Sequence, residues 1–123
     1  MTGIGGNVSP PDEELIAIIQ GMIDATEGLR AALETQNENR REQLRRLRGG
    51  EELRDIVVEM PIAGTRTSAK AAQERMESQR KVLRSAIMRR CIDAGLANRD
   101  IAQIWGVSVQ LVSRYTGTKH VAG

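Results

Sequence analysis

The 123-residue chain contains no phenylalanine, one tryptophan, one tyrosine, one cysteine, one histidine and only three prolines. Its aromatic share is 2%, whereas hydrophobic residues at 40% and charged residues at 28% match an ordinary soluble domain. β-Branched residues form no alternating run, which disfavours a sandwich or barrel and leaves helices as the expected element. The lone thiol, Cys91, excludes an intramolecular disulfide framework and thiolate zinc sites. His120 lies three residues from the end of the sequence. No carboxylate pair, nucleophile–base combination or Gly-rich phosphate loop is identifiable, so an enzyme is not expected, nor any cofactor or metal. Apolar runs are short: Leu15–Ile19 is five residues, far from the roughly 18 needed to cross a bilayer. No basic stretch followed by an apolar core marks an export signal, and a cytoplasmic location without membrane contact is expected.

Length allows one ordinary domain, or a small one with an appendage. The net charge of +2 is unevenly distributed. Residues 1–60 carry 12 acids against 7 bases, a net −5, and residues 61–123 carry 4 acids against 11 bases, a net +7. A basic second half suits a polyanion partner, although basic faces are often merely solvated.

Residues 1–8 are Gly-rich and expected to be disordered. Ser9-Pro10-Pro11-Asp12 reads as a helix start: a serine able to accept from an orphan N–H, a proline at the first helical position, and acids through Glu14 to complement the dipole. Leu15, Ile19, Met22, Leu29 and Leu33 then recur at helical spacing, widened by Ile16, Ile18 and Ile23. A second stripe holds small residues: Ala17, Gly21, Ala25, Gly28 and Ala32. Interior glycines cost about 1 kcal/mol each relative to alanine, so close approach of another helix is expected there. The two stripes leave Glu13, Gln20, Asp24, Glu27 and Glu34 as the wet ridge. A helix this enclosed needs more than one neighbour, and dimerisation is the expected reason, against the simpler case of one intramolecular partner.

Residues 34–43 contain nothing apolar and read either as a solvated continuation of the helix or as its frayed end. Arginines 40, 41, 45, 46 and 48 surround Leu44 and Leu47. They could touch phosphates, but Glu34, Glu38 and Glu42 precede them at helical spacing, so a solvated face is preferred. Gly49-Gly50 ends the element. Leu53, Ile56, Val57 and Met60 form a short amphipathic segment that Pro61 stops, and residues 61–67 read as a linker. A further helix is expected from Thr67 or Ser68 to about Ala94, apolar at Val82, Leu83, Ala86, Ile87, Cys91 and Ile92. Gly95 takes the place of a left-handed cap. Cys91 reads as a core thiol rather than a redox or metal residue.

Asn98 to Gly117, NRDIAQIWGVSVQLVSRYTG, is the informative segment. Asn98 reads as a cap, with Ile101, Ile104 and Trp105 inward on a short helix. Gly106 breaks that helix where a tight turn needs positive φ, and Val107 can plug the space beneath. Ser108 caps a second helix whose inward face is Leu111, Val112 and Tyr115, with small Ala102 opposite. Both aromatic residues fall in this segment and are read as core rather than as base-stacking groups.

The apolar Ile101, small Ala102, Trp105, Gly106, Val107, Val112 and Tyr115, with the wording Gly-Val-Ser and Val-Ser-Arg, resemble the helix-turn-helix of bacterial and phage DNA-binding regulators. The likeness covers about 20 residues, or 35–40 if the preceding helix is counted as the first of a trihelical unit, as in repressors, recombinases and promoter-reading sigma regions. It implies a C-terminal three-helix helix-turn-helix domain, which together with the long N-terminal amphipathic, coiled-coil-like helix read from the periodicity gives an all-α fold. The implied division is residues 9–60 for dimerisation and 68–123 for a helical connector and the DNA-binding domain, with the motif at 98–117.

The resemblance also implies that the second motif helix enters the major groove of double-stranded DNA. Ser108, Val109, Gln110, Ser113 and Arg114 would face outward there, with Gln110 suited to adenine, Arg114 to guanine or phosphate, and Val109 to a thymine methyl. Asn98, Arg99 and Lys119 would meet phosphates. The implied function is a dimeric transcriptional regulator in the nucleoid, paired through residues 10–60. Alternatives are an adaptor whose motif contacts a protein partner, and a partition or nucleoid-organising DNA binder. No cavity-forming effector module is legible, so regulation is expected from protein partners or expression level.

Overall fold

A computed structural model describes residues 8–117 of the chain. These form five helices and no strand: α1 (Pro10–Arg48), α2 (Leu53–Glu59), α3 (Ile62–Asp93), α4 (Asn98–Trp105) and α5 (Val109–Thr116). Residues 1–7, expected to be disordered with Val8, and Lys119, a candidate phosphate contact, lie outside the described residues; Val8 is exposed.

The start of α1 follows its local chemistry. Ser9 Oγ accepts from the Asp12 N–H at 3.3 Å, Pro10 is the first helical residue, and Asp12 and Glu13 occupy the first turn. The helix then runs unbroken through residues 34–48, so the polar stretch is a solvated continuation and not a frayed end. Arg40 donates to Asn37 Oδ1 at 3.0 Å, Arg41 pairs with Glu34 at 2.7 Å, and Arg45 Nε donates to Glu42 at 2.8 Å. Such exposed pairs each add little to a helix, but they are spaced along its polar stretch and favour its continuation. Arg45, Arg46 and Arg48 complement the dipole in the last turn, and the helix ends at the expected Gly49-Gly50.

The described residues divide into two units, and α1 and α3 each contribute to both. One unit is Gly21–Ser78, with Ala25, Ile56 and Ala69 buried. Ile56 anchors α2 by its fully buried side chain. An arginine clip does the rest: Arg46, only 13% exposed, donates to Glu51 from Nε at 2.9 Å and to Glu59 from Nη2 at 2.6 Å. The hydrogen bond from Arg46 holds the Glu51 carboxyl below the ordinary glutamate range, and the bonds to Glu51 and Glu59 raise the arginine in turn. Asn39 Nδ2 reaches Thr65 Oγ1 at 3.4 Å, joining α1 to α3 within this unit.

Two expectations change here. Residues 62–67, read as a linker, are the first turns of α3, which begins at Ile62 and not at Thr67 or Ser68. Pro61 ends α2 but is also compatible with a helix start, since a first-turn residue needs no N–H. The Thr65 N–H bonds Pro61 O at 3.2 Å, and the Thr65 and Thr67 hydroxyls bond back to the carbonyls of Pro61 and Ala63. The small-residue stripe of α1 is likewise not a seam of close approach throughout. Ala25 is buried, but Ala17 and Gly28 are exposed, and a Cβ added at Gly28 meets nothing within 4 Å.

The other unit comprises the described residues up to Gln20 and those from Gln79 onward. Its core is Met88 of α3, Ile101 and Ala102 of α4, and Val112 of α5. Burying such side chains stabilises by about 1.5–3 kcal/mol each for the larger ones. Cys91, Ile92 and Val107 pack around this cluster, so Cys91 lies against the core as expected but is half-buried and not fully enclosed. The α3 helix closes with Gly95 at φ +95° and a bond from Leu96 N–H to Cys91 O at 3.0 Å, the left-handed cap read from the sequence.

Candidate nucleic-acid interface

The α4–α5 pair rests on one backbone turn. Gly106 adopts φ +66°, ψ +37°, and Val107 N–H reaches back to Ala102 O at 3.0 Å, closing α4 in a Schellman arrangement. Ser108 follows in extended backbone and its Oγ accepts from Leu111 N–H at 3.1 Å, which starts α5 as expected. Two residues separate the end of one helix from the cap of the next, so the two must pack closely. They meet over Ile101, Ala102 and Val112.

Side-chain directions on α5 follow from about 100° per residue. With buried Val112 as the inward direction, Gln110 and Arg114 fall on the opposite side, and both are exposed. Arg99 on α4 and the Ser108 cap are exposed as well. These four keep the outward position read from the sequence.

Three other candidates do not. Val109 is half-buried and packs against the core, because it lies only about 60° from Val112 around the helix, so it faces the flank of α5 and not its outward edge. Ser113 is half-buried and accepts from Asn98 Nδ2 at 3.1 Å. Asn98 is the first residue of α4 and not its cap; Ala97 holds the cap position and supplies no side-chain bond. The amide and hydroxyl of this pair instead tie the start of α4 to the middle of α5 and fix the angle between the helices. Ile104, expected inward, is 68% exposed: it lies about 100° from the centre of the arc formed by Ile101, Ala102 and Trp105.

Several positioning residues carry no signal in the apolar pattern. Met88, fully buried, is the α3 contribution to the core. Ser85 Oγ donates to Tyr115 O at 2.7 Å, satisfying a carbonyl that the end of α5 leaves orphaned. Arg84 lies 5.9 Å from the Trp105 ring centre and 5.3 Å from that of Tyr115, and its Nη1 donates to the Tyr115 hydroxyl at 3.3 Å. Both rings are therefore half-buried walls of the core clamped by one cation, and not exposed stacking platforms. Thr116, the buried polar residue of the core, bonds Val112 O at 2.9 Å through its hydroxyl. Ser85, Met88 and Ile92 stand at i, i+3 and i+7, a helical spacing that would have marked this face had a serine been counted inward.

Among the described residues, no group of three or more His, Cys, Asp or Glu is placed to hold a metal ion, and no helix is long and apolar enough to cross a membrane. In comparisons with known proteins, no family model, no curated protein and no solved structure matches the chain.

Proposed function

We propose that the chain is a sequence-specific double-stranded DNA-binding protein in which α3, α4 and α5 act as a three-helix, helix-turn-helix unit of the kind found in bacterial and phage transcriptional regulators. The observation that carries this reading is the α4–Gly106–α5 turn with Gln110 and Arg114 directed away from the core. In a major groove, Gln110 offers the paired donor and acceptor that adenine requires, and Arg114 a fork for guanine. Ser108 and Arg99 stand where phosphates would pass. Asn98, Ser113 and Val109 shape the unit from within.

A single module of this size reads only a few base pairs, and pairing two sets their recognition helices about 34 Å apart. Residues 10–60 supply the pairing surface. In α1, Ile16 is 55% exposed, and Ile19, Ile23 and Leu33 are also exposed, so apolar area is left uncovered by the chain's own elements. The acidic balance of this half disfavours contact with phosphates, which supports a division of labour between assembly in this half and DNA reading in the basic half.

A second reading is favoured by one observation. Ile104 on α4 is the kind of exposed apolar residue that a protein partner would cover, as in an adaptor. Binding to random duplex DNA over a salt series separates the two. A DNA reader loses affinity steeply as salt rises, with a log–log slope near −0.9 for each phosphate neutralised. An adaptor shows no measurable duplex binding at any salt.

A further inference from the structure

Within the unit that holds α4 and α5 lies a cavity of about 640 Å³, bounded by the first turns of α1, the last turns of α3, and α5. That volume falls in the range of pockets that accept small organic molecules, roughly 300–1,000 Å³. Its wall is apolar at Leu15, Ile18, Val82 and Ala86. Four cations also line it, Lys81, Arg89, Arg90 and Arg114, against the two carboxylates of Glu14 and Asp93. Among the described residues, Asp12 pairs with Arg90, and no carboxylate pairs with Lys81, Arg89 or Arg114. Arg90 also keeps its Nη1 buried without a hydrogen-bond partner.

We infer that this cavity is a binding site for a small amphipathic anion, a molecule with one carboxylate or sulfonate head and an apolar body. The charges decide the head group. Lys81, Arg89 and Arg114 stand exposed and without a carboxylate beside the apolar wall, and Arg90 keeps a buried, unpartnered Nη1; an anionic oxygen gives these groups charge-assisted hydrogen bonds. A neutral ligand would leave them unmatched, and a cation would meet a net positive lining. The apolar wall decides the body, because filling it removes hydrocarbon from water on both sides of the contact.

The position of the site has a consequence for the chain's activity. Arg114 lines the cavity and also stands on the outward edge of α5. An anion bound there competes with DNA for the same guanidinium. Occupancy therefore weakens DNA binding, so that the chain senses a metabolite-sized anion without a separate effector domain. This coupling rests on the DNA-binding reading; the site itself does not.

The test uses the full chain and 8-anilinonaphthalene-1-sulfonate, an anionic aromatic probe that fluoresces in apolar surroundings. The expected result is saturable binding of one probe per chain, displaced by decanoate below its micelle concentration and not by decanol. R89Q, a change at an exposed residue with the fold checked by circular dichroism, weakens the probe at least tenfold, and A86W abolishes its fluorescence by filling the cavity. Unaltered probe binding in R89Q, or displacement by decanol as effective as by decanoate, overturns the proposal whether or not A86W folds. In a second arm, decanoate releases the wild-type chain from its selected duplex. If no duplex is bound but the probe behaves as described, the DNA reading fails and the anion site stands. If duplex is bound and the probe is indifferent to R89Q, the opposite holds.

Discussion

The same substitution, glycine to alanine, should have opposite signs at two positions of this chain. At Gly106 the backbone is left-handed, with φ +66°, and an added Cβ would meet no atom within 4 Å. Collision is thereby excluded, and the whole effect is conformational. Holding an L-residue in that region costs about 1–2 kcal/mol, partly offset by the lower entropy of the unfolded alanine chain, about 0.4–1 kcal/mol. A net loss of about 1 kcal/mol follows for Gly106→Ala. Gly106→Asn loses less, since asparagine tolerates this region. At Gly28 the surroundings are equally open but the residue is mid-helix, so Gly28→Ala gains about 0.5–1 kcal/mol. Urea unfolding followed by the fluorescence of Trp105, the only tryptophan, reads the first change where it acts. Far-ultraviolet circular dichroism reads the second. With m near 1–2 kcal/mol per molar, the Gly106→Ala midpoint falls by roughly 0.5–1 M. A Gly106→Ala chain as stable as wild type would refute the left-handed turn, and with it the arrangement of α4 and α5.

Three further outcomes are expected. Arg114→Ala and Gln110→Ala each weaken binding to the preferred duplex by about 1–3 kcal/mol while leaving binding to random duplex nearly unchanged, as read by fluorescence anisotropy. Arg84→Gln removes the cation between Trp105 and Tyr115 and lowers the Trp105-reported stability by about 1–2 kcal/mol; Arg84→Lys, which keeps the charge, recovers part of it. The Glu51 carboxyl is held below its ordinary range by Arg46, so its folded value is depressed relative to the unfolded chain. Its stabilising contribution is complete above the unfolded value of about 4.3 and is lost as pH falls through the folded value. Thermal melts from about pH 7 to about pH 3 should therefore show a drop for wild type that is smaller in Arg46→Gln.

Most of the helices, all but one of the caps read for them and the α4–α5 turn were legible because their signals are local; the Asn98 cap and the start of α3 were not. Ser9-Pro10, Gly50, Gly95, Gly106 and Ser108 each act through the conformation or hydrogen bonding of a few neighbouring residues. The core of the α4–α5 unit was legible in its apolar members Ile101, Ala102 and Val112. What the sequence hid depends on contacts distant along the chain. Pro61 reads equally as an end or a beginning, and only the bonds from Thr65 and Thr67 show the second. Arg84 and Ser85 look like solvent-facing residues until Tyr115 is placed opposite them. Ser113 and Asn98 satisfy each other across 15 positions, which removes two apparent surface contacts. The cavity beside Arg114 is invisible for the same reason, since α1, α3 and α5 must all be present to enclose it.

Selection of bound sequences from a random duplex pool, followed by binding to the winner at increasing salt, tests the central claim most directly. The expected result is an inverted repeat with half-sites about one helical turn apart, bound by two chains and weakened by Arg114→Ala at one defined base position. A pool that emerges without enrichment, with no salt-dependent duplex binding, would contradict DNA reading by α5 and leave the exposed Ile104 surface to a protein partner.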